Sequence, residues 1–168
     1  MAAQIVRVYR EQLPALRVIG KRYTDADREG GGFGAQWDRW FAGGWFGPLE
    51  ALGALPQSEG AYVGVIRDGA DGFAYWIGML FAAGTPAPEG YACADIAGTN
   101  IATCWLYGSE RGGDLFGMEN HAACLAEIAR QGWTPAGEGL YIERYNCPRF
   151  TTPDDKGNVI LDYCVAVR

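Results

Sequence analysis

The sequence is poor in the residues with which proteins bind polyanions and metals. Of its 168 residues, only Lys21 and Lys156 are lysines, and there is one histidine. The other basic residues are scattered arginines, and 14 basic against 20 acidic residues give a net charge of -6. Because such a charge repels phosphate backbones, we expect no direct binding of nucleic acid.

Further absences narrow the class of protein. The longest nearly uncharged apolar stretch, residues 73–84, is shorter than the roughly 18 residues of a membrane helix, and the chain does not open with a basic segment followed by an apolar core. We therefore expect a cytoplasmic protein with no membrane partner. The five cysteines form no C-x-x-C pair, so we predict small buried thiols, no metal and no cofactor.

What the sequence does contain is a periodic apolar pattern of the kind found in one compact domain. Phe33, Trp37, Trp40 and Phe41 share one helical face and predict a helix that follows three glycines and ends near residues 43–44.

A second helix and several strands fill most of the remaining chain. The helix is predicted from Asp114, as its N-cap, to Gly132. Runs rich in β-branched and aromatic residues, separated by turn residues, predict strands. These runs are residues 16–23, 61–66, 73–82, 91–97, 101–107, 140–145 and 159–167.

The two halves of the chain resemble each other. A strand, an acidic glycine-rich turn, a helix and two further strands follow one another in residues 4–83 and again in residues 91–168, with residues 84–90 as a linker. We therefore predict an α+β fold made of duplicated β-α-β-β units related by a pseudo-twofold axis. Their strands would form one antiparallel sheet with two main helices on one side and a central ligand groove.

Glu143 is the principal candidate site residue. In a strand it shares a face with Tyr141 and Tyr145, whereas Ile142 and Arg144 point the other way. Burial among rings would raise the pKa of the carboxyl or, if the charge is kept, select lipophilic cations. The alternative is an ordinary solvated glutamate paired with a neighbouring arginine.

Other aromatic and acidic residues are candidates for the same groove. Trp105 and Tyr107 share a strand face, Trp40 is the member of its helical stripe that we expect to leave the core, and Tyr75 corresponds to Asp162 in the repeat. His121, without a cluster of cysteines or carboxylates beside it, is expected to be structural.

The chain resembles a known family over nearly its whole length, most specifically in its C-terminal part. The segments Gly-Trp-Thr-Pro-Ala-Gly at 132–137, Leu-Tyr-Ile-Glu-Arg-Tyr at 140–145 and Ile-Leu-Asp-Tyr-Cys-Val-Ala-Val at 160–167 are similar to the end of the GyrI-like small-molecule-binding domain. This domain is also the effector-binding domain of bacterial AraC-type and MerR-type multidrug regulators. The resemblance implies a groove for bulky aromatic or cationic molecules with a glutamate anchor, matched by Glu143. Asp162 and Cys164 depart from the family's acid and tyrosine on the last strand.

Three functions remain open. The first is a GyrI-like binding protein, expected to stand alone because strands begin within twenty residues of the start. We expect it to be a monomer or weak homodimer. The second, also known in the family, is a hydrolase of cyclopropane-bearing genotoxic compounds, in which Glu143 is the general base and Tyr107 or Tyr145 donates a proton. The third is an acidic inhibitor of a DNA enzyme, acting through exposed carboxylates. Those carboxylates are Asp25, Asp27, Glu29, Asp154 and Asp155.

Overall fold

A computed structural model describes residues 2–168 and shows an α+β fold, as predicted from the sequence. Eight antiparallel strands form a single sheet. The strands are β1 (Gln4–Leu13), β2 (Leu16–Tyr23), β3 (Tyr62–Gly69), β4 (Gly72–Ala82), β5 (Ala92–Ile96), β6 (Thr99–Gly108), β7 (Leu140–Tyr145) and β8 (Val159–Val167). The helices are α1 (Gly34–Gly43), the short α2 (Gly47–Glu50) and α3 (Met118–Arg130).

The first predicted helix is confirmed, whereas the second begins later than predicted. Helix α1 ends at Gly44, whose φ of 64° is the left-handed geometry that stops a helix. Helix α3 is preceded by Gly117 at φ 107°, a conformation incompatible with helix, so the helix cannot start at Asp114. The Asp114 carboxylate instead accepts a hydrogen bond from the backbone N–H of Ser109 at 3.1 Å.

The strand order is β1-β6-β8-β7-β3-β4-β2-β5. Strands β1 to β4 of the first half correspond to β5 to β8 of the second. If each strand is replaced by its counterpart, the order read from the other end is unchanged. Strands β3 and β7 pair at the centre. Strand β1 pairs with β6 of the second half, and β5 pairs with β2 of the first half. The halves therefore exchange their outermost strands. No strand runs through residues 84–90, and the repeat limits themselves remain a prediction.

Strand β1 is the element that the sequence pattern did not predict. Its pairing with β6 shifts register between Ile5 and Arg7, so the strict alternation of apolar and polar residues is interrupted there. It is also an edge strand that is largely exposed, so few of its positions require an apolar side chain.

Apolar clusters of buried residues lie on both faces of the sheet. Helices α1 and α2 cover a cluster that includes Trp40, Phe46 and Ile77. Helix α3 covers a second cluster around Ile128 and Leu161. A third cluster occupies the opposite face and draws on both halves. Its buried members are Leu13, Leu16, Val18, Leu55, Val63, Val65, Trp76, Leu80, Ile96, Ile101, Leu140, Ile142, Cys164 and Ala166.

The cysteines depart in part from the sequence-based expectation. Cys104, Cys124 and Cys164 are buried, but Cys93 and Cys147 are exposed. Cys93 lies on the edge strand β5, and Cys147 lies in the loop that follows β7. All five are free thiols. Within residues 2–168, the helices are too short or too polar to cross a bilayer.

Gly78 provides a test of the sheet geometry. It faces Gly20 across β4 and β2, and a Cβ on Gly78 would overlap the backbone carbonyl of Ile19. We expect Gly78→Ala to lower the free energy of unfolding by about 2–3 kcal/mol, the upper range for overpacking. Gly34→Ala is the control, since nothing lies within 4 Å of its added Cβ. Urea denaturation measures both, and equal stability of the two variants would contradict the close strand approach.

Candidate ligand-binding site

Glu143 lies at the centre of the sheet, on the face covered by the helices. Its strand, β7, runs between β3 and β8, where its cross-strand neighbours are Gly64 and Tyr163. Alternation along β7 places Glu143, Tyr141 and Tyr145 on this face and Arg144 on the other. The face shared by the three residues is the one that the sequence pattern predicted.

A chain of hydrogen bonds connects Glu143 to helix α1. The Tyr75 hydroxyl on β4 donates to Oε1 of Glu143 at 2.7 Å. In turn, the indole N–H of Trp37 donates to the Tyr75 oxygen at 2.9 Å. The Tyr145 phenol lies near the same carboxyl and favours its ionised form. The carboxyl is therefore held in place by neutral donors.

Gly64 makes this arrangement possible. Tyr75 and Glu143 lie on strands separated by β3, and their side chains meet above Gly64. A Cβ at this position would overlap Glu143 Oε1 and lie 2.5 Å from the Tyr75 hydroxyl. Any side chain at position 64 would separate the phenol from the carboxyl.

Aromatic rings surround the carboxyl on the α1 side. The rings of Trp37 and Tyr145 meet edge to face with centroids 4.9 Å apart. Phe33 stacks on Tyr75 at 4.3 Å with nearly parallel planes. Phe150, from the loop after β7, contacts the Tyr145 ring at 4.7 Å. These packing geometries are the favourable ones for aromatic pairs and hold the rings in defined positions.

A second aromatic group lies on the α3 side. Nδ1 of His121 is 2.6 Å from the Tyr163 hydroxyl, and its ring meets Tyr141 edge to face at 4.9 Å. Burial lowers the pKa of His121, which favours the neutral imidazole. His121 is thus a hydrogen-bonding partner of Tyr163, consistent with the structural role expected for it.

The electrostatics of the site follow from desolvation. Desolvation of the partly buried side chain raises the pKa of Glu143 to about 7, although the neighbouring phenols of Tyr75 and Tyr145 oppose the shift. Burial also raises the pKa of Tyr75, Tyr145 and Tyr163, so these phenols remain protonated donors at neutral pH. Among residues 2–168, Glu143 forms no ion pair.

Solved structures share this architecture. SAV2435 bound to tetraphenylphosphonium is 14% identical, with a TM-score of 0.69 over 97% of this chain and 94% of that one. The GyrI-like fold is therefore present. A protein from Staphylococcus aureus MU50 assigned to bacterial transcription regulation is 16% identical, with a TM-score of 0.68 over 96% of this chain and 98% of that one.

The same fold also occurs within a larger protein seen with DNA. EcmrR, in a complex with DNA, is 10% identical, with a TM-score of 0.58 over 96% of this chain and 57% of that chain. At the level of sequence, no family model matches the chain, and a search of curated proteins finds no match. The fold is shared although the sequences have diverged.

The GyrI-like fold brings together some of the predicted site residues. Glu143, Tyr75 and Tyr145 are in direct contact, and Tyr141 lies on the same face. Sequence reasoning missed Trp37 and Tyr163. Trp37 belongs to the predicted aromatic stripe of α1, but the stripe alone does not show which of its rings bonds Tyr75.

Three predicted aromatic residues lie elsewhere. Trp40 is fully buried in the core and donates to the Tyr23 hydroxyl at 3.0 Å, because it sits at the centre of the stripe covered by α2. Trp105 and Tyr107 point to the face opposite the helices, since Ala102, Cys104 and Leu106 of β6 occupy the helix-covered face. There the Tyr107 hydroxyl donates to Asp154 at 2.5 Å.

Asp162 also faces away from Glu143. It is the cross-strand partner of Arg144, and its carboxylate accepts hydrogen bonds from Arg144 and Arg149. In the alignment of the two repeats, Asp162 corresponds to Tyr75. The residue of β8 that lies on the helix-covered face is instead the next one, Tyr163. A shift of one residue exchanges the faces of a strand.

Two surface hollows formed by residues 2–168 have volumes of about 200 and 290 Å³. The smaller is lined by residues from β7, β8 and the turn before β7, and the larger lies between β1 and the end of α3. Neither is lined by Glu143, Tyr75 or Trp37.

The raised pKa of Glu143 has a consequence for stability. Its ordinary value is 4.5 and its folded value about 7, so the stability contributed by the protonated carboxyl is full below about pH 4.5 and is lost as the pH rises through 7. We expect Glu143→Gln to gain about 1–3 kcal/mol relative to the wild type between pH 5 and pH 8.

Chemical denaturation across this pH range checks the expectation. Glu89→Gln, which changes an exposed carboxyl outside the strands, is the matched control and should follow the wild-type profile. Parallel profiles for Glu143→Gln and the wild type would show that Glu143 is not desolvated.

Proposed function

We propose that this protein binds bulky, hydrophobic cations at Glu143. The observation that carries the proposal is a partly buried carboxyl beside aromatic rings and phenol donors, with no cationic side chain paired to it in the described chain. Such a carboxyl, once ionised, lacks the countercharge that a ligand would supply.

The chemistry of the lining selects the ligand class. Small inorganic cations are strongly hydrated, and an aromatic site offers few oxygen ligands to replace that water. A cation with a diffuse charge and an apolar surface loses little hydration and gains contacts with ring faces of about 0.5–2 kcal/mol each. Trp37 and Tyr145, whose rings are in contact, are two rings of this site that also keep contact with solvent.

Glu143 is itself only partly buried, and a bulky ligand gains room at the carboxyl if neighbouring rings move. Trp37 is held by one hydrogen bond to Tyr75 and by ring contacts, and Tyr145 by its contacts with Trp37 and Phe150. Both side chains are only partly buried, whereas Tyr75 is almost fully buried. Movement of Trp37 and Tyr145 therefore opens the site at the least cost in packing.

The structural neighbours support the proposal. SAV2435 has the same fold and is seen bound to tetraphenylphosphonium, a bulky aromatic cation. A further neighbour is assigned to transcription regulation, and EcmrR is seen in a complex with DNA. A binding role, without chemistry on the ligand, is thus the simplest interpretation of the site.

Cation binding is expected to depend on pH. A cation favours the ionised carboxylate, so at low pH it must displace the proton held by Glu143, whose pKa is about 7. The affinity for tetraphenylphosphonium should therefore rise by up to about tenfold per pH unit below pH 7 and level off above it. Calorimetry in buffers of different ionisation enthalpy would detect the released proton.

Replacement of Glu143 tests the anchor directly. At pH 8, we expect Glu143→Gln to weaken tetraphenylphosphonium binding by about 1–3 kcal/mol, the scale of a charge-assisted contact. A neutral planar aromatic compound should bind both proteins equally. Glu89→Gln is the control. Undiminished binding of the cation by Glu143→Gln would remove Glu143 from the site.

One observation favours hydrolysis as a second candidate function. A carboxyl with a pKa of about 7 beside the Tyr145 phenol has the protonation behaviour of a general base with a neighbouring acid. Tyr107, on the other face, cannot contribute.

The test of hydrolysis is mass spectrometry of a cyclopropane-bearing electrophile after incubation with the protein. Turnover would add one water to the compound. In that case Glu143→Gln and Tyr145→Phe should each lower the rate by about a hundredfold, while Tyr107→Phe, the matched control, should not. An unchanged compound would leave binding as the only function of the site.

The carboxylates considered for the acidic inhibitor are occupied locally. Asp25 pairs with Arg28 at 2.8 Å, and Glu29 pairs with Arg39. Asp154 accepts hydrogen bonds from Tyr107 and from two backbone amides in its own loop. This third function therefore gains no support from the geometry.

A further inference from the structure

The loop that follows β7, residues 146–158, touches both faces of the sheet. It leaves the strand immediately after Tyr145 and returns to β8. Arg149 and Phe150 are adjacent in this loop, yet they are anchored on opposite faces. This β7–β8 loop links the neighbourhood of Glu143 to the buried charges on the other side.

On the face opposite the helices, Asp162 fixes the loop. Asp162 is fully buried and accepts four hydrogen bonds, two of which come from Arg149, at 2.7 and 2.5 Å. Another comes from Asn146, at 3.0 Å, and the fourth from Arg144, at 3.1 Å. Three of the four donors thus belong to the β7–β8 loop. The Arg149 guanidinium also lies over the Trp105 ring at 4.8 Å.

The charges of this group are balanced. Arg144 bonds Asp162 and also pairs with Glu11 at 2.7 Å, so two guanidinium groups meet two carboxylates. A bidentate, buried pair such as Arg149–Asp162 restricts the backbone on both sides of the arginine. Removal of one member leaves a buried charge, which is strongly unfavourable. The loop is therefore held tightly at Arg149.

On the helix-covered face, Phe150 is the support behind Tyr145. Its ring meets Tyr145 edge to face at 4.7 Å, and Tyr145 in turn contacts Trp37 and the Glu143 carboxyl. The Phe150 backbone N–H donates to the Asn146 carbonyl at 2.8 Å, which closes the turn around Arg149. The position of Phe150 thus depends on the anchoring of Arg149.

We propose that the Arg149–Asp162 pair positions Phe150 behind Tyr145 and thereby sets the size of the cation that the Glu143 site accepts. The proposal rests on the proposed function for its ligand. Arg149 and Asp162 are positioning residues, since both lie on the face opposite the site. Phe150 is the specificity-determining residue.

Two cations of different size test this inference. The probes are tetraphenylphosphonium and the smaller phenyltrimethylammonium, and the measured quantity is the ratio of their dissociation constants. Phe150→Ala removes the support behind Tyr145, so the preference for the larger cation should increase by about fivefold or more. Arg149→Ala should shift the ratio in the same direction, and Arg149→Lys, which keeps the charge, should lie closer to the wild type. Arg111→Ala is the control for loss of an exposed arginine.

A second measurement does not depend on a ligand. Carbon-13 NMR of the labelled glutamate carboxyls follows the pKa of Glu143 in the folded protein. In Arg149→Ala and Phe150→Ala, a less restrained Tyr145 admits water, so the pKa should fall from about 7 toward its ordinary value of 4.5. In Arg111→Ala it should not change.

The affinity ratio and the pKa of Glu143 together show which proposal fails, the cation-binding function or the positioning by Arg149. If the wild type binds neither cation while Arg149→Ala lowers the pKa of Glu143, the positioning effect is real and the proposed function is wrong. If the wild type binds both cations but Arg149→Ala, still folded, keeps the wild-type ratio and pKa, the positioning inference is overturned. A change confined to thermal stability would overturn it as well.

Discussion

The burial of one carboxyl without a countercharge is the constraint on which the site depends. Glu143 is stabilised by neutral phenols, and each of these requires support of its own: Tyr75 from Trp37, and Tyr145 from Phe150. Space for the contact exists only because position 64 is a glycine. A substitution at any of these positions therefore acts on the protonation of Glu143, even where it removes no contact with a ligand.

Strand β7 separates two electrostatic environments by one residue. Glu143 faces rings and remains unpaired in the described chain, whereas Arg144 faces a balanced group of carboxylates and guanidinium groups. The pleat of the strand keeps the two environments apart, because successive side chains leave it in opposite directions. Without this separation, Arg144 would neutralise Glu143 and lower its pKa. The alternation of the strand thus preserves a carboxyl that is available to an external cation.

The sequence predicted those features that local periodicity determines. The shared face of Tyr141, Glu143 and Tyr145 follows from the two-residue period of a strand, and α1 follows from its aromatic stripe. The α+β antiparallel class was also correct. Which face of β6 lies on the same side of the sheet as Glu143 depends on the pairing of distant strands. The prediction that Trp105 lies on that side was therefore wrong. The same is true of Asp162, where a one-residue error in aligning the repeats exchanged the two faces.

The exchange of outermost strands between the halves has a consequence for the independence of each half. Strand β1 completes the sheet of the second half, and β5 completes that of the first, so each half would have an unprotected sheet edge if it were separated from the other. Neither half could therefore stand alone without first rebuilding an edge. The exchange thus ties together two halves whose helices meet the sheet differently, α1 through Trp37 at Tyr145 and α3 through His121 at Tyr163.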